Sequence, residues 1–97
     1  NQKNCENKSK QNGIEYIFID ELNENKSFEI NSYGKHIFKD YYYNLEDEQF
    51  YLKTGDNMYR RLYINNDKGS DYVLMKNIEM KLCKVNVKLF KQRYDLL

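Results

Sequence analysis

The sequence contains no proline, no tryptophan and no alanine, and it has only four glycines among 97 residues. The absence of proline excludes a proline-rich recognition segment, and four isolated glycines cannot build a glycine-rich loop that cradles a phosphate. No uninterrupted run of eighteen apolar residues occurs, so no segment has the length of a membrane-spanning helix. A chain of this length forms one domain at most.

Residues that usually carry catalysis or bind metals are also scarce. His36 is the single histidine, and the sequence around it matches no catalytic signature. Cys5 and Cys83 belong to no CxxC pair and show no zinc-ligand spacing. The acids at Glu46–Glu48 are adjacent, and adjacent side chains on a strand point to opposite faces, so we interpret them as a solvated turn. The sequence therefore predicts a protein that is not an enzyme, with no cofactor and no metal site.

The N-terminal residues 1–13 contain no apolar anchor and are predicted to be a flexible polar tether. A single β-rich domain is predicted for residues 14–97. A tether of this kind is typical of processed secreted proteins and surface lipoproteins. We therefore expect an extracytoplasmic location (periplasmic, cell-surface or secreted), with a lipid anchor ahead of residue 1 as one means of attachment. In an oxidising compartment Cys5 and Cys83 would form a disulfide, and in a reducing one they would stay free thiols.

Short runs of β-forming residues recur about every ten residues along the chain, separated by turn signals. This pattern predicts a mainly β fold, a single small antiparallel meander of six or seven strands that is sandwich-like or barrel-like. Asn65–Ser70 is the strongest turn signal, because Asn, Asp and Gly tolerate left-handed backbone. The last strand is predicted to reach about Leu89, with a short helical turn after it.

Two further patterns lie in the C-terminal third. Lysines recur along residues 81–88, which favours an edge strand, because lysine deters pairing between sheet edges. Ile78, Met80 and Leu82 alternate and are predicted to share one face of a strand.

Charge is distributed unevenly, although the net charge is only +1. Residues 14–56 carry ten acids and four bases, whereas residues 76–93 carry six bases and one acid. The two regions would either compensate each other within the fold or form a dipolar surface that orients a partner.

The most informative feature is the alternation of aromatic and basic residues with apolar ones along residues 58–64. One parity holds Met58, Leu62 and Ile64, with Arg60 among them. If this set packs inward, the other parity forms an exposed stripe of Tyr59, Arg61 and Tyr63. Tyr51 and Tyr72, on strands predicted to be neighbours, would widen the stripe in a suitable register. Tyr and Arg are enriched where proteins bind each other.

The sequence therefore predicts a small exported protein of the inhibitor or immunity type, which acts by binding another protein through this tyrosine-rich face. One alternative is a β-barrel that binds single-stranded nucleic acid, and another is a structural or accessory subunit of a larger assembly. Nucleic acid is disfavoured, because the aromatic-rich segment 38–51 is acidic and the basic segment 76–93 has few aromatic residues. The run Tyr41–Tyr43 must divide its rings between two faces, so at least one ring is expected outside.

Overall fold

The structure is a computed structural model that describes residues 8–11, 14–19 and 26–97, with side chains from residue 26 onward. It contains eleven described strands and one described helix. The strands are β1 (Lys8–Gln11), β2 (Ile14–Ile19), β3 (Ser27–Glu29), β4 (Ser32–Tyr33), β5 (His36–Ile37), β6 (Tyr41–Asn44), β7 (Gln49–Gly55), β8 (Met58–Arg61), β9 (Asn65–Asp67), β10 (Ser70–Lys76) and β11 (Leu82–Asn86), and the helix is α1 (Val87–Arg93).

Antiparallel pairing joins these strands into three sheets. The largest has six strands in the order β1-β2-β8-β7-β6-β3, the second has three in the order β11-β10-β9, and the third is the hairpin β4-β5. The predicted mainly β, antiparallel fold is confirmed, and β6, β7 and β8 form its meander. More strands occur than the six or seven expected, because several pairings are very short; β4 and β5 contribute only two residues each.

The N-terminal strands flank the meander at both edges, with β2 beside β8 and β3 beside β6. Lys8–Gln11, within the stretch predicted as a tether, pairs with β2, a backbone interaction that needs no apolar side chain. Residues 1–7 lie outside the described residues, and the domain boundary stays a prediction.

The core lies between the six-stranded and three-stranded sheets. Side chains alternate in and out along β10 and β11, so every second residue of their central parts is buried. The cluster of buried residues that forms the core consists of Ile30, Phe38, Tyr41, Tyr43, Phe50, Leu62, Val73, Met75, Cys83, Val85 and Phe90. The hydroxyl of Tyr41, on β6, accepts a hydrogen bond from the backbone N–H of Lys76 on β10 at 2.8 Å, which ties the two sheets together.

Helix α1 begins where the sequence predicted continued strand. The side chain of Asn86 accepts a hydrogen bond from the N–H of Leu89 at 3.0 Å, which caps the helix N-terminus. The predicted helical turn is confirmed, but β11 ends at Asn86 and not near Leu89. The β-branched Val87 enters the helix because the cap and the burial of Phe90 outweigh its modest preference for strand.

The predicted turn lies within Asn65–Ser70 but is shorter than predicted, because Asn65–Asp67 forms β9 and only Lys68 and Gly69 form the turn. It connects β9 to β10 through Lys68 at φ 53° and Gly69 at φ 86°, both in the left-handed region. This is the backbone that a two-residue hairpin loop requires, and glycine adopts it without steric cost. The predicted edge strand is confirmed, because β11 lies at the edge of the three-stranded sheet.

Cys83 is a buried, free thiol on β11 that donates to the carbonyl of Lys81 at 3.6 Å. Cys5, the other half of the predicted disulfide, lies outside the described residues. Within the part of the chain that the structure describes, no helix has the length and apolar character needed to cross a bilayer.

Candidate protein-binding surfaces

The predicted stripe lies on the outer face of the six-stranded sheet. Tyr59 and Arg61 are half-buried there, and Tyr63, just beyond the end of β8, is 56% exposed. Tyr42 lies on the same face, because the register places it opposite Tyr51, which in turn lies opposite Arg61. We call Tyr42, Tyr59 and Arg61 the tyrosine–arginine surface. The rings of Tyr42 and Tyr59 meet edge to face at 5.6 Å, and Tyr42 is the outward ring expected of Tyr41–Tyr43.

Tyr51 does not widen this surface, because it is only 4% exposed. Its strand, β7, lies between β6 and β8, so Tyr42 and Arg61 flank it on both sides. Its hydroxyl donates to the Asp47 carboxylate at 2.5 Å. Burial, together with this hydrogen bond, raises the pKa of Tyr51 well above its ordinary value. Tyr51 therefore supports the outer face and offers almost no area to a partner.

Tyr72 was predicted to neighbour the stripe, and the structure places it in a different sheet. Its strand, β10, pairs with β9 and β11, whereas β8 pairs with β7 and β2. Lys84, from β11, holds its Nζ 4.3 Å from the centre of the Tyr72 ring and 3.5 Å from Asp67. Tyr72 therefore packs under a lysine on the outer face of the three-stranded sheet.

The raised pKa of Tyr51 predicts a loss of stability at high pH. The unfolded chain releases the phenolic proton near its ordinary pKa of about 10, while the folded chain retains it, so the free energy of unfolding falls as the pH rises above about 10. In Tyr51→Phe this contribution is absent, so the free energy of unfolding should fall less steeply between about pH 10 and pH 12 than in the wild type. At pH 7 we expect the variant to be less stable by about 1–2 kcal/mol, because the hydrogen bond to Asp47 is lost. Urea unfolding at several pH values measures both.

The matched control for this measurement is Tyr63→Phe, which removes a hydroxyl from an exposed ring. Burial also raises the pKa of Tyr43, and the bond to Glu48 raises that of Lys91. Both groups remain in each variant and act in the same direction, so wild type and control should decline together. Equal alkaline slopes for Tyr51→Phe and Tyr63→Phe would contradict the assignment to Tyr51.

A second surface, which the sequence did not predict, lies at the tip of the β10–β11 hairpin. The connecting loop is organised by Asn77, whose carboxamide oxygen accepts from the N–H groups of Glu79 at 2.9 Å and Lys81 at 3.0 Å. The N–H of Asn77 donates to the carbonyl of Lys81, and its own carbonyl accepts from the N–H of Met80. Met80 is held at φ 65°, a conformation that non-glycine residues rarely adopt. The loop is therefore fixed by its own hydrogen bonds.

The β4–β5 hairpin braces this loop from one side. The N–H of Ile78 donates to the carbonyl of Ile37 at 2.8 Å. The amide nitrogen of Asn77 lies 3.3 Å from Nδ1 of His36, and because the carboxamide oxygen is already used twice, the amide donates and Nδ1 accepts. Two hairpins from distant parts of the chain thus hold one another in place.

Four large apolar side chains project into solvent from this junction. Ile37 is 54% exposed, Ile78 58%, Met80 70% and Leu82 61%, and we call these four residues the hairpin-tip surface. A pocket of about 370 Å³ opens beside them, between the two hairpins. It is lined by Lys35, His36, Ile37, Asn77, Ile78, Glu79 and Lys81.

The alternation of Ile78, Met80 and Leu82 suggested one face of a strand, and that interpretation was wrong. Only Leu82 belongs to a strand, because Asn77 closes a loop in which the next residues leave the sheet. A signal was present in Asn77 itself, since an asparagine between two strand-like segments often bonds to the backbone two residues ahead.

From residue 26 onward no group of three or more His, Cys, Asp or Glu side chains is placed to hold a metal ion. His36 lies against Asn77 and Phe38. The expectation that the chain is not an enzyme stays a prediction.

Comparisons of this chain with known proteins found no match. No protein-family model, no curated protein and no solved structure matches this chain. The function is therefore argued from the geometry of its surfaces.

Proposed function

We propose that this chain is a non-enzymatic protein-binding domain and that it binds its partner through the hairpin-tip surface. The observation that supports this is the exposure of Ile37, Ile78, Met80 and Leu82 around a loop fixed by a buried asparagine. Contiguous exposed apolar side chains mark sites of interaction in soluble proteins more often than isolated ones do.

The rigidity of the loop strengthens the proposal. A loop that is ordered before binding loses little conformational entropy when a partner docks, so more of the contact energy contributes to affinity. Asn77 provides that order, and the hairpin containing Ile37 supports it from the side.

The further parts of the proposal are an extracytoplasmic location and a role of the inhibitor or immunity type. They are supported by the polar composition of residues 1–13. The unequal charge distribution also suits a protein that is steered to a charged partner.

The test is to compare capture of partner proteins from extracts of the source cells by wild type and two double variants. Ile78→Ser with Met80→Ser alters the hairpin-tip surface, and both residues are exposed enough that stability should change by less than about 1 kcal/mol. We expect it to reduce capture by at least about tenfold.

The matched control is Tyr59→Ala with Arg61→Ala, which alters the tyrosine–arginine surface on the other sheet. It should retain capture. Urea unfolding of each variant confirms that the fold is intact. Capture lost in the Tyr59/Arg61 variant and retained in the Ile78/Met80 variant would reject the hairpin-tip surface and assign binding to the stripe that the sequence predicted.

A further inference from the structure

The pocket beside the hairpin-tip surface has apolar walls from two separate hairpins. Ile37 contributes from β5 and Ile78 from the loop after β10, and the two are joined by a backbone hydrogen bond of 2.8 Å. Asn77, which is 6% exposed, and half-buried His36 also line the pocket. A volume of about 370 Å³ is enough for one large apolar side chain with part of its backbone.

The charges around this pocket are mostly basic. Lys35 and Lys81 line it together with one acid, Glu79. Glu79 and Lys81 approach to 4.0 Å, but both side chains are more than two-thirds exposed, so their attraction is weak and easily replaced.

We propose, resting on the proposed function, that the hairpin-tip pocket receives an acidic–apolar peptide segment of the partner protein. One large apolar side chain enters between Ile37 and Ile78, and carboxylates beside it pair with Lys35 and Lys81. A second copy of this chain docked tip to tip would bring the same lysines together, which like-charge repulsion disfavours. A bilayer offers no side chain to fill a pocket, so we favour the peptide over an anionic membrane.

To test this, peptides that bind the immobilised full chain are selected from a displayed library of random short peptides. Peptides that also bind the variant Ile78→Ser with Met80→Ser are then removed, so that only peptides that depend on the hairpin-tip surface remain. The enriched peptides should carry an aromatic or large aliphatic residue next to Asp or Glu. Synthetic copies should bind at least about tenfold more weakly to Lys35→Glu with Lys81→Glu, and more weakly in high salt.

The control is Lys68→Glu with Lys88→Glu, which changes the net charge equally. Both residues are exposed, one in the β9–β10 turn and the other on α1. Binding should be unchanged in this variant. An equal loss in both charge variants would overturn the proposal, because it would show a general effect of net charge.

Other outcomes would separate this proposal from the proposed function. Tip-dependent peptides that lack carboxylates would overturn the acidic segment while leaving the hairpin-tip surface as a protein-binding site. If no peptide that depends on the hairpin-tip surface were enriched, the acidic segment would also be overturned. The capture experiment would still decide the proposed function. Tip-dependent retention on vesicles of phosphatidylcholine and phosphatidylserine, without peptide binding, would assign the surface to an anionic membrane.

Discussion

Replacing Phe90 with alanine is expected to lower the free energy of unfolding by about 3–5 kcal/mol. Phe90 is 0% exposed, and its ring lies 5.0 Å from that of Phe50, 5.2 Å from Tyr43 and 4.6 Å from Tyr94. It is the buried side chain by which α1 packs on the aromatic core, so its removal leaves a cavity that the rigid rings around it fill poorly. Small domains have stabilities of about 5–15 kcal/mol, so this loss would be a large share of the total.

Urea unfolding followed by circular dichroism measures this effect, and Leu89→Ala is the matched control. Leu89 belongs to the same helix but is about half exposed, so its truncation should cost about 1 kcal/mol or less. A Phe90→Ala variant as stable as Leu89→Ala would show that α1 does not contribute to the core.

Replacing Asn77 with alanine should have the second largest effect, on both stability and partner capture. The substitution removes the acceptor for the N–H groups of Glu79 and Lys81, and each donor left without a partner in a partly buried loop is costly. We expect a loss of about 2–3 kcal/mol in the free energy of unfolding. We also expect capture to fall at least about tenfold, although Ile78 and Met80 are unchanged, because the loop must then be ordered during binding.

Asn77→Asp is the informative comparison, since it retains an oxygen acceptor for both backbone donors and replaces the amide that faces His36 with a negatively charged carboxylate oxygen. It should lose less stability than the alanine variant. Amide hydrogen exchange at Glu79 and Lys81 reports the loop directly, with faster exchange in Asn77→Ala than in Asn77→Asp. Full capture by Asn77→Ala would show that the order of the loop does not matter for binding.

The features of the fold that depend only on residues consecutive in the sequence could be predicted from the sequence. The period-two alternation along 58–64 correctly placed Leu62 inside and Tyr63 outside, but it also placed Met58 inside, and Met58 is 49% exposed. The Asn, Asp and Gly residues of 65–70 identified the β9–β10 turn, where the backbone is left-handed at Lys68 and Gly69. In each case the cause is local, since side-chain direction and φ preference are properties of a few consecutive residues.

The features that were predicted incompletely or wrongly depend on which strands pair. Tyr51 was predicted to widen the exposed stripe. It does lie on the same face as Tyr42 and Arg61, but it belongs to a central strand between them and is only 4% exposed. Tyr72 was expected beside Tyr59 until the pairing of β10 with β9 and β11 placed it in another sheet. Pairings of this kind join residues far apart along the chain, and the periodicity of a single strand does not encode its neighbour.

The amino-acid sequence by itself thus determined a mainly β chain and the location of its principal turn. Only the tertiary structure decided that β4–β5 meets the β10–β11 loop, where the bond from Ile78 to Ile37 spans residues forty-one positions apart. That junction exposes the hairpin-tip surface and forms its pocket. The physical reason is that exposure is a property of the whole packed molecule, because a side chain is buried or left in solvent by whichever distant segment does or does not cover it.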